Sequence, residues 1–140
     1  MGTVLMVCTA NICRSPMAAA VWQAHAPQLS VASAGVDALP GQTPDPVCVD
    51  LMATRGIDLT QHRSSRFHAA LAHAYELILV MNPQHRERIC ALAPALRGRV
   101  HLLGKWTDGV IADPHRRARA YYLQCVDAIE RAVVAWQARV

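Results

Sequence analysis

A short apolar run, Thr3 to Val7, ends on Cys8, and a few residues later Ser15-Pro16 opens a helical stretch. Serine as a helix N-cap and proline in the first helical position both favour a start there, so the segment reads as strand, tight loop, helix. Two more apolar runs, Glu76 to Met81 and Val100 to Leu103, have the near-continuous hydrophobicity of strands buried on both faces. Leu29 to Ser33 is a weaker fourth. Helical stretches alternate with them. One follows Asn82-Pro83, with the same cap chemistry, and stops near Pro94. The last begins after Asp113-Pro114 and carries Tyr122, Val126, Ile129, Val133 and Trp136 at spacings of four and three, a stripe for core packing. This alternation predicts one α/β domain over residues 1–140, with a parallel sheet and right-handed crossovers. Ligands of such sheets bind beyond the carboxyl ends of the strands, and Cys8 stands at that end of the first strand.

A chain of 140 residues buries enough surface for a core without metal or disulfides. No apolar run approaches the ~18 residues of a membrane span, so no membrane insertion is expected. Met1 to Val7 has no basic leader, and the five cysteines are an odd count, which reads as reduced thiols. The expected location is therefore cytoplasmic. Cys8 and Cys13 form C-x4-C without a second pair to complete a zinc site, so no metal is expected. The net charge is +4, and all but one of the 14 Lys and Arg residues are arginines spread along the chain. That distribution suits weak attraction to an acidic substrate better than a nucleic-acid surface.

The loop Cys8-Thr9-Ala10-Asn11-Ile12-Cys13-Arg14-Ser15 carries the pattern C-x5-R-S. Five residues between Cys8 and Arg14 can curl the backbone around one tetrahedral oxyanion, with successive N–H groups pointing inward. The positive end of the following helix points at the same place. A free thiol titrates near ~8.5, and inward N–H groups, a helix end and Arg14 should all lower that value for Cys8. Arg14 offers a planar fork for two phosphoryl oxygens, and Ser15 can donate to the sulfur as well as cap the helix. Asn11 is a residue type that tolerates a left-handed backbone. A buried cysteine at a strand end is usually inert, and a bare C-x5-R is common; its place between a strand and a Ser-Pro helix start favours the functional reading. Phosphate-ester cleavage also needs an acid for the leaving oxygen. Asp113-Pro114 is favoured over Asp45-Pro46, which sits where Asp-Pro simply starts a helix.

The run Val7 to Pro16 resembles the signature of the low-molecular-weight protein tyrosine phosphatases. Ser33-Ala34-Gly35, Pro44-Asp45-Pro46, Arg55-Gly56-Ile57, Ile78 to Met81 and Asp113-Pro114 follow in that family's order. The resemblance covers essentially the whole chain and is strongest to bacterial members that serve capsule or exopolysaccharide export, acting on autophosphorylated tyrosine kinases. It implies a four-stranded parallel sheet in the order 2-1-3-4 with the phosphate loop after strand 1. It also implies Cys8 as nucleophile, Arg14 as transition-state clamp, Asp113 as acid and then base, and a phosphocysteine intermediate. Asn11 would be held by Ser33 and His62. No cofactor, a phosphotyrosine protein as partner and a monomeric state are expected.

Three departures from the family pattern matter. Ala10 replaces a glycine, Asn82 an aspartate, and His115 the aromatic after Asp-Pro that walls the substrate slot beside Ile12. His115 leaves the slot more polar, or Leu39 supplies more of the wall. His115 and Arg116 also remove the regulatory tyrosines of mammalian relatives. Cys13 matches the family and is expected either to close a disulfide with Cys8 under oxidation or to be a small packed thiol. Arsenate reductases of the thioredoxin-coupled kind need two cysteines after the third strand, where this chain has only Cys90. Protein arginine phosphatases carry threonine where Ile12 stands, so Ile12 favours phosphotyrosine. A non-catalytic phosphate-binding module would have no need of both Cys8 and Asp113.

Overall fold

The computed structural model describes residues 2–140. Four parallel strands lie in the order 2-1-3-4. They are β1 (Thr3–Cys8), β2 (Ser30–Gly35), β3 (Leu77–Val80) and β4 (Val100–Leu102). The helices are α1 (Arg14–His25), α2 (Pro46–Thr54), α3 (Ala69–Ala72), α4 (Pro83–Leu92) and α5 (Arg119–Gln137), with a 3-10 turn over Pro94–Arg99. The result is a single α/β domain.

Side chains alternate across a strand, and β1 supplies both layers. Val4, Met6 and Cys8 face the core built with Trp22, Met52, Val126 and Val133 from α1, α2 and α5. Leu5 and Val7 face the opposite core, with Phe67, Ile89 and Leu96. The apolar stripe of α5 is the buried one, and Trp136 Nε1 donates to the Leu103 carbonyl at 2.8 Å, locking the helix to the end of β4. The chain leaves β1 for β2 on one side and returns to β3 on the other. This topological switch point lies beside the carboxyl end of β1, where loops diverge and leave a crevice.

Two helix starts differ from the sequence expectation. α1 begins at Arg14 with Cys13 as N-cap and no side-chain cap, so Ser15 falls inside the first turn. Its hydroxyl is drawn away by Cys8 and Asn11, and the first N–H groups of α1 are left facing the loop. The last helix starts at Arg119, five residues beyond Pro114. Asp113 Oδ1 instead accepts the His115 N–H at 3.0 Å, and Arg116 takes a left-handed φ of 63°, which breaks helical continuity. Asn82 caps α4 through a 2.9 Å bond to the His85 N–H, work that asparagine does as well as aspartate.

Candidate active site

The loop from Cys8 to Arg14 curls over the N-terminal end of α1 and, with Asp113 and His115, lines a cavity of about 230 Å³. The curl turns at Asn11, whose φ of 58° is left-handed; Ala10 does not enter that region, so its methyl is no obstacle. Asn11 is fully buried and held on every side. Its Nδ2 donates to Ser15 Oγ (2.8 Å) and Ser33 Oγ (2.9 Å), its Oδ1 accepts the Ser65 N–H, and its carbonyl accepts from His62 Nε2 at 2.7 Å. His62 thus reaches the backbone of Asn11 while Ser33 reaches its side chain.

Cys8 Sγ lies 2.8 Å from Ser15 Oγ. Burial pushes the thiol above its ordinary value, against the Ser15 hydroxyl, the Ser15 N–H, Arg14 and the Asn11 N–H, which pull it down. The expected lowering is present as these separate interactions but is not the net result. A sulfur in a residue only 3% exposed loses more hydration than the four recover.

Arg14 is buried, with Nη1 donating to the Ile111 carbonyl at 2.9 Å and Nη2 3.8 Å from Asp113 Oδ2. One end of the guanidinium is therefore anchored while the other faces Asp113. The Asp113 side chain is half exposed and also lines the cavity, so its carboxylate can reach both the loop and solvent. The Ile111 N–H donates to the Met81 carbonyl, which ties the segment before Asp113 to the end of β3.

Asp45 is not simply a helix start. It caps α2 through the Val47 N–H, but its buried Oδ2 also accepts from Tyr122 Oη at 2.7 Å and from His115 Nδ1 at 2.9 Å. Its own N–H donates to the Ile12 carbonyl. One residue thus joins the Cys8–Arg14 loop to the segment carrying Asp113. Burial pushes this carboxyl up, yet the Tyr122, His115 and Val47 hydrogen bonds outweigh it and leave it below its usual range. Ile12 and His115 line the cavity; Leu39 is 67% exposed and lies outside its lining.

Three neighbours of the loop had no role assigned from the sequence, although Gly35 belongs to the Ser33-Ala34-Gly35 motif. His85 Nε2 bonds Thr9 Oγ1 at 2.9 Å from 76 residues away, and burial, then Arg14, drive its imidazole down to about 4. Gly35 permits a close approach: a Cβ there would stand 2.5 Å from the Thr9 carbonyl oxygen and 2.9 Å from the Asn11 nitrogen. Cys48 Sγ lies 3.1 Å from Cys13 Sγ. With Asp45 these sulfurs place three potential metal-ligand atoms within 4.8 Å, a cluster the C-x4-C spacing did not suggest.

The family model described as low molecular weight phosphotyrosine protein phosphatase matches residues 3–140. The chain is 41% identical over 138 residues to the probable low molecular weight protein-tyrosine-phosphatase EpsP of Ralstonia nicotianae, covering 99% of this chain and 95% of the relative. It is 38% identical over 134 residues to the low molecular weight protein-tyrosine-phosphatase Wzb of Escherichia coli K12, covering 95% and 91%. Vibrio vulnificus Wzb in complex with benzylphosphonate superposes with a TM-score of 0.95 at 33% identity, over 99% of both chains.

Proposed function

The chain belongs to the low molecular weight phosphotyrosine protein phosphatases, and from that membership we propose that it hydrolyses phosphotyrosine through a phosphocysteine on Cys8. The observation that carries the reading is one small cavity lined at once by Cys8, the curled loop, Arg14 and Asp113.

The phosphoryl oxygens take the inward N–H groups and the free fork of Arg14, while the tyrosine ring passes between Ile12 and His115 toward the mouth. Cys8 attacks phosphorus in line as a thiolate, favoured by Ser15 as it forms. The bond to the phenolic oxygen breaks and Asp113 supplies the proton. Water, deprotonated by Asp113, then attacks the phosphocysteine, releasing inorganic phosphate and the Cys8 thiolate. Arg14 spreads the transition-state charge in both steps, and its bond to Ile111 keeps the fork from rotating away. Asn11, Ser33 and His62 hold the loop in shape. The kinship with EpsP and Wzb extends the reading to a substrate: an autophosphorylated tyrosine kinase of an exopolysaccharide export system, met by a monomeric enzyme in the cytoplasm. No helix among the described residues is long and apolar enough to cross a membrane.

Phosphate release from a phosphotyrosine peptide and a phosphoarginine peptide tests this, with native protein beside Cys8→Ser and Asp113→Asn. Turnover of phosphotyrosine alone is expected, abolished by Cys8→Ser and slowed roughly 10²–10⁴-fold by Asp113→Asn. Preference for phosphoarginine would keep the chemistry and sink the substrate. No Cys8-dependent turnover of either would leave a phosphate-binding module.

A further inference from the structure

Cys48 takes no part in the proposed phosphate chemistry, yet its sulfur is held against the phosphate loop. The 3.1 Å between Cys13 Sγ and Cys48 Sγ is about 1 Å longer than a disulfide of ~2.05 Å. The pair is fixed from both sides. Cys13 stands at the head of α1, where its carbonyl accepts the Met17 N–H, and Cys48 lies in the first turn of α2. The Asp45 N–H ties that turn to the Ile12 carbonyl, next to Cys13. Cys13 is 4% exposed and Cys48 fully buried, so neither meets bulk solvent. Cys13 does line the cavity, alongside Cys8. The Asp45 oxygens are already occupied by Tyr122, His115 and the Val47 N–H, which leaves the two sulfurs with each other rather than with a metal.

We propose that Cys13 and Cys48 are the dithiol on which an oxidising equivalent entering the cavity comes to rest, as a Cys13–Cys48 disulfide with Cys8 returned to its reduced form. The oxidant is hydrogen peroxide. The Cys8 thiolate attacks one peroxide oxygen, the O–O bond breaks, and Cys8 sulfenic acid and hydroxide form. Cys13, giving up its proton, attacks that sulfur and displaces the second hydroxide as water. Cys48, giving up its proton, attacks Cys13 Sγ and expels the Cys8 thiolate. Two thiols and one peroxide become one disulfide and two waters, the two electrons coming from Cys13 and Cys48. Contact with Cys48, then burial, pushes the Cys13 thiol far above its ordinary range. The pair therefore avoids double ionisation, and each thiol gives up its proton only as it attacks. The pairing rests on the sulfur positions alone; only the route through Cys8 rests on Cys8 being the reactive nucleophile.

Disulfide mapping of the native protein after one equivalent of hydrogen peroxide tests this, with free thiols alkylated before digestion. Trypsin leaves Cys8 and Cys13 in the peptide ending at Arg14, and Cys48 in the peptide 15–55. The pairings therefore differ in mass, and fragment ions separate Cys13 from Cys8. A Cys13–Cys48 cross-link is expected, with phosphotyrosine turnover kept within twofold. Cys48→Ser and Cys48→Ala, both made in case one packs poorly, are expected to stop at Cys8–Cys13 and lose turnover at least tenfold until dithiothreitol is added. The proposal is overturned if native protein gives only Cys8–Cys13 or over-oxidised Cys8 and is inactivated as the variants are. If instead the cross-link forms but unoxidised protein turns over no phosphotyrosine, the phosphatase reading fails and the pairing stands.

Discussion

Acidifying the protein from pH 7 to pH 5 should remove about 2 kcal/mol of folding stability through His85 alone. Its imidazole, on α4, is buried against the Cys8–Arg14 loop, and burial, followed by the Arg14 charge, lowers it from 6.5 to about 4, with Arg88 acting in the same sense and Asp113 and Asp37 against it. The native state therefore holds the neutral ring down to about pH 4, whereas the unfolded chain takes up a proton near 6.5. A depressed basic group contributes fully above its unfolded value, and the contribution is lost as pH falls toward the folded one. The interval between the two sets a ceiling of about 3 kcal/mol at 1.36 kcal/mol per pH unit, most of it spent by pH 5. Urea unfolding followed by tryptophan fluorescence at pH 7, 6 and 5 measures this directly, with native protein beside His85→Gln. Glutamine does not titrate but can still bond Thr9. Asp45 adds acid sensitivity of its own, since hydrogen bonds overcome burial and hold it low, but it does so equally in both proteins and cancels in the difference. Native protein should lose about 2 kcal/mol more than the variant between pH 7 and 5. Parallel losses would refute the argument.

Ser15→Ala should raise the Cys8 thiol further, because burial is then opposed without the hydroxyl 2.8 Å from the sulfur. The pH midpoint of Cys8 alkylation by iodoacetamide reads this, and an unmoved midpoint contradicts it. Gly35→Ala should lose about 2 kcal/mol or more in urea unfolding and lower kcat/KM as well. The new methyl meets backbone atoms of Thr9 and Asn11, not a side chain that can turn aside, so a stable variant with native kinetics would show that the loop can shift.

The strand-and-helix alternation was legible because it is local: apolar runs, Asn-Pro and Asp-Pro starts and the α5 stripe each declare themselves within a few residues. Local reasoning expects helix starts at Ser15 and Asp113 that the structure does not have, though it does expect the Ser15 contact with Cys8. Each hydrogen bonds elsewhere, Ser15 to Cys8 and Asn11 and Asp113 to the His115 N–H, because competing partners decide where a short polar side chain goes. Asp45, weighed against Asp113 and set aside as a helix start, has a second role that needs Tyr122, 77 residues away.

By itself the sequence determined the fold class, the loop between Cys8 and Arg14 and the family, because all three are written in contiguous residues. Only the tertiary structure decided what surrounds that loop. The Thr9–His85 bond, the closeness of Gly35 to Thr9 and the Cys13–Cys48 contact join residues far apart in the chain. So did the balance at Cys8, where packing removes hydration from the sulfur more strongly than its neighbours stabilise its charge. Such effects depend on which surfaces the sheet and helices bring together, and that information lies in no local stretch of the chain.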